Sequence, residues 1–183
     1  LASYRMAQAY TTQQPLVRLA TKPLAQIAGI AGGSSHLSRL AGSEIVYLHE
    51  VRAPGAVSLV TEVGVRLSSL TTASGRIMLA YLPETELRAV FNSSGERLRF
   101  REYKETLAAY RRQGWATECE EVSRGQESVA VAVLDHLGRP AAALAVTFPA
   151  GTANTEQLAL ELQHAATRLQ AQFFGCLLYT SDA

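Results

Sequence analysis

The stretch SVAVAVLDHLGRPAAALAVTF, residues 128–148, is typical of two antiparallel strands joined by a turn at residues 136–139. If Leu134 pairs with Ala141, the remaining pairs separate into two kinds. One face carries bulky pairs, which are Val129–Val146, Val131–Leu144 and Val133–Ala142. The other face carries small pairs, which are Ser128–Thr147, Ala130–Ala145 and Ala132–Ala143. Because a shift of one residue would destroy this separation, the sequence predicts the register together with the hairpin.

The two faces of this hairpin predict different surroundings. The bulky face indicates a hydrophobic core. The small face has two explanations, a closely packed helix or the floor of a ligand site between the hydroxyls of Ser128 and Thr147. The hairpin alone leaves both open.

The rest of the chain predicts an α+β fold with an antiparallel sheet, because strand hairpins alternate with helical patterns. At the front, Pro23 is expected to kink a helix or to begin a new helix capped by Thr21. Residues 34–51 predict a hairpin turning at residues 41–43, and residues 57–63 a third strand. Further helices are expected at residues 3–12, 73–82, 83–91, 101–113 and 156–174, with Gly114 ending the fourth of these.

Composition excludes several classes of function. The 183 residues carry a formal net charge of +1 without a basic stripe, so this chain alone is not expected to bind nucleic acid. Two cysteines without a CxxC pair and four scattered histidines predict neither a disulfide framework, nor a metal site, nor a cofactor. The sequence has no signal peptide and no membrane-spanning run. A cytoplasmic protein without membrane contact is therefore expected.

The segment LSSLTTASGRIMLAYLP, residues 67–83, places small hydroxyl residues and Gly75 before an apolar helical run. It lacks both glycine-rich phosphate-binding motifs, and Ser74 lacks the GxSxG elbow of a nucleophile. Thr71 or Thr72 is expected to cap the helix. A capped helix start also presents unpaired N–H groups to an anion, so a cap alone and a cap with a bound carboxylate both remain open.

Two long strings now carry a resemblance to a known family. VRLSSLTTASGRIMLAYLPETEL, residues 65–87, and YRRQGWATECEEVSRGQESVAVAVLDHLGRPAAALAVTFP, residues 110–149, resemble the effector-binding domain of IclR-type transcriptional regulators. The similarity runs in family order from Tyr4 to Gln172. It implies a GAF-like fold, with a central antiparallel sheet flanked by helices, that binds a small organic molecule.

The resemblance also implies a division of the chain. Residues 1–13 are expected to be the end of a linker helix that follows an N-terminal winged helix-turn-helix, and residues 14–174 the effector-binding domain. Residues 175–183 are expected to be a non-native or disordered tail. Members assemble as dimers and tetramers and bind DNA through the winged helix, and that domain is expected to lie outside this sequence.

The family's ligand-contacting positions fall on six residues of this sequence: Ala73, Ser74, Glu118, Ser128, Ala145 and Thr147. The backbone N–H groups of Ala73 and Ser74 would meet an anionic ligand, and Glu118 would be the acid of the pocket. This sequence departs from the family at Leu70, where members have histidine, at Ala145, which lacks a hydroxyl, and at Glu118, where many have aspartate. These departures imply a differently shaped, less polar pocket.

These observations favour a sensor of small organic carboxylates over an enzyme. Ser128 and Thr147 would donate hydrogen bonds to the ligand, and Glu118 would bind a hydroxyl or a cation, or donate when protonated. Met78 is expected to belong to the core. Two alternatives remain: an oligomerisation module without ligand, and a hydrolase using Ser74 or Cys119. The acidic residues around Cys119 disfavour the hydrolase, since they raise the pKa of a thiol.

Overall fold

The central feature of the molecule is one antiparallel sheet. The computed structural model describes residues 2–57 and 63–175, with side chains from residue 15 onward. Within these ranges lie helices α1 (Ala2–Ala31), α2 (Ala73–Leu79), α3 (Glu84–Ser93), α4 (Phe100–Gln113) and α5 (Thr155–Phe173). The strands are β1 (Ser34–Ala41), β2 (Glu44–Arg52), β3 (Arg66–Ser68), β4 (Ala116–Cys119), β5 (Gln126–Leu134) and β6 (Pro140–Pro149). They form a sheet in the order β3-β2-β1-β6-β5-β4, which confirms the predicted α+β class.

The hairpin β5–β6 has the predicted register over most of its length. Ser128 lies opposite Thr147, Ala130 opposite Ala145, and the bulky pairs fall on the other face. One pair differs, because Leu134 lies opposite Pro140 instead of Ala141, with a bulge after Val133. A bulge at the strand end suits a proline, which has no N–H to donate to the ladder. The alternation of side chains predicts the faces correctly but does not reveal the bulge.

The bulky face of β5 and β6 forms the main core. Val129, Val131, Leu144 and Val146 are fully buried against α1 and α5. The apolar stripe predicted for the last helix supplies much of the opposing surface, including Leu158, Leu162, Ala166 and Leu169. Burial of each large aliphatic side chain contributes about 1.5–3 kcal/mol.

The small face of the hairpin accommodates both of the predicted arrangements. Helix α2 packs closely on part of it, where Ile77 and Met78 contact a patch of alanines, namely Ala116, Ala130, Ala143 and Ala145. Met78 is fully buried and belongs to the core, as expected. Beyond the start of α2, the same face forms one wall of a cavity that includes Ser128 and Thr147. The small face is therefore covered by α2 along one part of the strands and open to the cavity along the other.

The N-terminal helix differs from the prediction. Helix α1 continues through Pro15 and Pro23, so of the two alternatives expected at Pro23, the new helix capped by Thr21 is wrong. Thr21 Oγ1 instead donates to the Val17 carbonyl one turn earlier, at 2.8 Å. A proline inside a helix costs about 3 kcal/mol or more. The helix tolerates this cost because it buries one apolar stripe on the core, namely Leu16, Ala20, Leu24 and Ile27.

Two strands also differ from prediction. The strand expected over residues 57–63 lies almost wholly outside the described residues, and β3 begins at Arg66. Strand β4 escapes prediction, because four residues are too short for a pattern of alternation. The tail predicted at residues 175–183 also lies outside the described residues, apart from Gly175. None of the described helices is long and apolar enough to cross a membrane.

Candidate functional site

A cavity of 360 Å³ lies between the start of α2 and the small face of the sheet. Its walls come from β1, β2, β3, β4, β5, β6 and α2. All six residues singled out from the sequence line it: Ala73, Ser74, Glu118, Ser128, Ala145 and Thr147. Leu70, at the position where the resemblance expects histidine, is fully buried in a separate cluster with Leu79 and Tyr103. The fold thus collects residues that are up to 74 positions apart in sequence, from Ala73 to Thr147.

The start of α2 faces this cavity. Of the two candidate caps, Thr72 is the N-cap, and its Oγ1 accepts a hydrogen bond from Gly75 N–H at 3.1 Å. Arg76 N–H donates to the Thr72 carbonyl at 3.0 Å. The N–H groups of Ala73 and Ser74 make no hydrogen bond within the described part of the chain. They are therefore available to a bound anion, as expected for the first turn of a helix.

Gly75 is explained by a close backbone approach. A Cβ atom at this position would lie 2.1 Å from the Ser69 carbonyl oxygen, far inside van der Waals contact. The absence of a side chain thus allows α2 to lie directly on the preceding turn. The glycine between Ser74 and Arg76 has a packing role, which explains it without a phosphate-binding loop.

Glu118 is the acidic residue of the cavity and is 3% exposed. Its Oε1 accepts a hydrogen bond from Ser128 Oγ at 2.8 Å. Its Oε2 accepts from the N–H groups of Glu121 and Val122, at 3.1 and 3.3 Å. Burial raises the pKa of Glu118, and this effect outweighs the three hydrogen bonds, which lower it. The residue is thus a buried acid whose protonation depends on what shares the cavity.

The two hydroxyls predicted to face each other are in contact. Ser128 Oγ and Thr147 Oγ1 lie 2.8 Å apart. Since the single proton of Ser128 is donated to Glu118, Thr147 donates to Ser128 while Glu118 is ionised. The three side chains then form a directed chain from Thr147 through Ser128 to Glu118. In this state both hydroxyl protons point along the chain and neither is offered to the cavity.

Arg76 connects α2 to the turn after β4. Its Nη1 donates to the Thr117 carbonyl at 3.0 Å and to Glu121 Oε1 at 2.9 Å. Its Nε donates to the Leu70 carbonyl at 3.0 Å. In the same turn Glu120 has a left-handed φ of 58°, which bends the backbone and brings the following N–H groups back to Glu118. Arg76 thus positions the turn that holds the acid of the cavity.

Sequence reasoning missed two aromatic residues of the cavity, His36 on β1 and Tyr47 on β2. Their ring centroids are 5.0 Å apart. Burial, and to a lesser extent the charge of Arg52, lowers the pKa of His36 to about 4, so this imidazole is neutral at pH 7. Burial also raises the pKa of Tyr47. His36 lies directly opposite Ala145 in the sheet, and no local pattern predicts that β1 pairs with β6.

The residues proposed for a hydrolase lack the partners that such chemistry requires. No base is hydrogen-bonded to Ser74 Oγ in the part of the chain that the structure describes. Partial desolvation and the neighbouring charges of Glu127 and Glu120 raise the pKa of Cys119, which disfavours the thiolate. Residues 2–57 and 63–175 also contain no group of three or more side chains placed to hold a metal ion.

Comparison with known proteins identifies the family. The family model described as "Bacterial transcriptional regulator IclR C-terminal" matches residues 8–171. The chain belongs to this family. Among curated relatives, the HTH-type transcriptional regulator XynR of Escherichia coli is 32% identical over 143 residues, which cover 74% of this chain and 57% of XynR. The Pca regulon regulatory protein of Pseudomonas putida is 30% identical over 182 residues, covering 93% of this chain and 62% of that protein.

Solved structures agree with the IclR assignment. The IclR protein of Thermotoga maritima has a TM-score of 0.80 and 24% identity, covering 93% of this chain and 74% of that one. An IclR homologue from Microbacterium hydrocarbonoxydans was solved in complex with 4-hydroxybenzoate. It has a TM-score of 0.79 and 20% identity, and the match covers 88% of this chain and 69% of the homologue. These likenesses confirm the expected fold. The IclR relatives are transcriptional regulators and not enzymes, which confirms that expectation also. The chain spans 57–64% of the length of the first three curated relatives.

Proposed function

We propose that this IclR C-terminal domain senses a small organic carboxylate and transmits its binding to DNA within a complete regulator. The observation that carries the proposal is the convergence of an open helix start, a buried acid and two hydroxyls on one 360 Å³ cavity. Small-molecule sites commonly have volumes of about 300–1,000 Å³. A cavity of this size suits a ligand with one ring or a short aliphatic chain.

The charged end of the ligand would lie at the start of α2. Ala73 and Ser74 offer two backbone N–H groups there, and the helix dipole adds a partial positive charge. A hydrogen bond to a charged group contributes about 1.5–3 kcal/mol. Arg66, which also lines the cavity, adds a positive side chain, although it forms an ion pair with Glu44 at 3.1 Å.

The body of the ligand would contact the apolar wall. Val65 and Leu67 line the cavity beside Val122, and Ala145 leaves space on the floor of the sheet. Neutral His36 and the hydroxyl of Tyr47 would meet polar substituents on the ligand body. The 4-hydroxybenzoate of the Microbacterium complex has both a carboxylate and a hydroxyl, and it is therefore a suitable first probe.

The proposed regulator acts in the cytoplasm as a homodimer or homotetramer and binds DNA through a separate N-terminal domain. XynR and KdgR of Escherichia coli are both HTH-type transcriptional regulators, and this chain covers only 57% and 64% of their lengths. The remaining length of such relatives supports a separate DNA-binding domain in the proposed regulator. Ligand binding changes DNA affinity only when two arrangements of the domain bind the ligand unequally. Arg76 offers a physical connection, because it links the helix start of the cavity to the turn beyond β4.

A thermal-shift screen of this domain with benzoate, 4-hydroxybenzoate and short aliphatic carboxylates tests the proposal. At a hundredfold excess over Kd, binding adds about 2.7 kcal/mol to the free energy of unfolding. For a domain of this size we expect Tm to rise by roughly 5–10 °C. A flat panel for a folded, oligomeric protein would favour the ligand-free oligomerisation module instead.

A further inference from the structure

The chain Thr147–Ser128–Glu118 has a direction, and this direction opposes the binding of an anion. With Glu118 ionised, Ser128 donates to Oε1 and Thr147 donates to Ser128. The two hydroxyls then present lone pairs to the cavity, and the carboxylate adds a full negative charge. An anionic ligand entering this state meets repulsion and two oxygens that have no proton to donate.

The oxygen that takes up a proton is fixed by the surroundings of Glu118. Oε2 already accepts two backbone N–H bonds from the turn after β4, at 3.1 and 3.3 Å. A proton on Oε2 would have to displace them. Among the residues that the structure describes, Oε1 has one partner, the Ser128 hydroxyl, which can act as acceptor as well as donor. Protonation at Oε1 therefore keeps every contact of the carboxyl group and reverses only the direction of its hydrogen bond with Ser128.

We infer that a carboxylate ligand enters this cavity together with one proton, which Glu118 takes up, and that the hydrogen bonds of the chain then reverse so that the hydroxyl of Thr147 points towards the ligand. Glu118 Oε1–H donates to Ser128 Oγ, Ser128 donates to Thr147 Oγ1, and Thr147 keeps its proton but points its O–H into the cavity, where it can donate to the ligand. The proton comes from solvent, and no other bond is made or broken. Glu118 is thus a specificity residue that sets the charge accepted at this end of the cavity. The inference rests on the proposed function.

Within the described part of the chain, His36 is the neighbour of Glu118 that competes with it most directly for the proton. Glu121 forms an ion pair with Arg76, and burial keeps Tyr47 protonated. His36 is the competitor, since it is neutral, lines the same cavity and could also gain a proton beside an anion. Further charged or titratable groups are Arg66 on β3, Cys119 on β4, Glu120 directly after β4, Glu127 on β5 and, next to His36, Glu50 on β2. A test must therefore separate Glu118 from His36.

Glu118→Gln is the decisive variant. The glutamine amide oxygen can accept the two N–H bonds of the turn, while its NH₂ group donates to Ser128, as a protonated Glu118 would. Glu120→Gln is a matched control, because it removes the same charge only two residues away. The Glu120 side chain accepts a hydrogen bond from Gly125 N–H and does not line the cavity. His36→Gln tests the competing proton acceptor.

The experiment is calorimetric titration of the purified domain with benzoate and 4-hydroxybenzoate between pH 6 and 9, in buffers of different ionisation enthalpy. Over this range the ligand carboxylate stays ionised. We expect wild-type protein to take up close to one proton per ligand above the pKa of Glu118, with affinity falling about tenfold per pH unit. Glu118→Gln should bind without proton uptake and with little pH dependence, and Glu120→Gln should behave as wild type. His36→Gln should keep the proton uptake of wild type even where its affinity for the ligand differs.

Other results would contradict either the proton uptake by Glu118 alone or the carboxylate sensor as a whole. Carboxylate binding without proton uptake, or uptake lost in His36→Gln and kept in Glu118→Gln, overturns the role of Glu118 and leaves the carboxylate sensor intact. Failure of both probes to bind wild type and Glu118→Gln at every pH contradicts the carboxylate sensor itself, and the proton coupling with it.

Discussion

Arg76 on α2 and Glu121 in the turn after β4 form an ion pair in which Nη1 and Oε1 are 2.9 Å apart. Only 13% of the Arg76 side chain is exposed, against 44% of the Glu121 side chain. The arginine also donates to two backbone carbonyls, those of Leu70 and Thr117. The pair joins the start of α2, where we propose that a carboxylate binds, to the turn that holds the buried acid Glu118.

Arg76→Met should therefore destabilise the domain more than Glu121→Gln. The first change removes two charge-assisted hydrogen bonds to the Leu70 and Thr117 carbonyls, which keep the hydroxyls of Tyr103 and Tyr110 as donors, and we expect a loss of about 2–3 kcal/mol. The second removes a half-exposed charge, for which about 0–1 kcal/mol is expected. Urea unfolding of both variants measures the difference. Equal losses would mean that the ion pair, and not the carbonyl contacts, holds the turn.

Gly75 and Gly29 should respond to alanine with opposite signs. At Gly75 a Cβ atom would lie 2.1 Å from the Ser69 carbonyl oxygen, so α2 must move away from the turn. We expect Gly75→Ala to lower the free energy of unfolding by about 1–3 kcal/mol, as overpacking does. Gly29 lies inside α1 with open space around it, so Gly29→Ala should stabilise by about 0.5–1 kcal/mol. Thermal melts of the two variants make the comparison, and equal shifts would contradict the close approach.

Glu118 should make the folded domain less stable as pH rises. Its pKa in the folded state lies above the unfolded value, so the folded state binds the proton more tightly. The stability linked to this proton is fully present below the unfolded pKa and is lost as pH rises through the folded pKa. Relative to Glu118→Gln, wild type should weaken as pH rises from 4 to 8, by about 1.4 kcal/mol for each pH unit that separates the unfolded pKa from the folded pKa.

Urea unfolding at several pH values checks this dependence. Glu120→Gln serves as the control, because Glu120 bonds the exposed Gly125 N–H instead of lining the cavity. Its free energy of unfolding should follow wild type across the range. A constant difference between wild type and Glu118→Gln would mean that burial does not perturb this carboxyl group.

The sequence predicts much of this site because its floor is one hairpin. Alternation of bulky and small residues in β5 and β6 is sufficient to place Ser128 beside Thr147. His36 and Tyr47 escape prediction because they reach the cavity through the pairing of β1 with β6, a contact between distant segments. Thr72, rather than Thr71, caps α2, and local propensity does not separate two adjacent threonines.

Helix α1 shows the opposite failure, where local rules mislead. Pro23 predicts a kink or the start of a new helix, yet one helix continues through it to Ala31. Leu24 and Ile27 are buried on the core just after the proline, and this packing outweighs the missing hydrogen bond. Tertiary burial, which a local pattern does not measure, decides the length of the helix.

Titration calorimetry of two neighbouring variants at the start of α2 tests the carboxylate site most directly. Ala73→Pro removes one N–H group at the first helical position, where proline is well tolerated, and Thr72 already has the extended backbone that precedes a proline. Ser74→Ala removes a side-chain hydroxyl and keeps its N–H. With 4-hydroxybenzoate as the probe at pH 6, we expect Ala73→Pro to weaken binding by about 10–100-fold, equivalent to one charged hydrogen bond, while Ser74→Ala binds nearly as wild type. Unchanged binding to Ala73→Pro, with its melting temperature preserved, would contradict a carboxylate at this helix start.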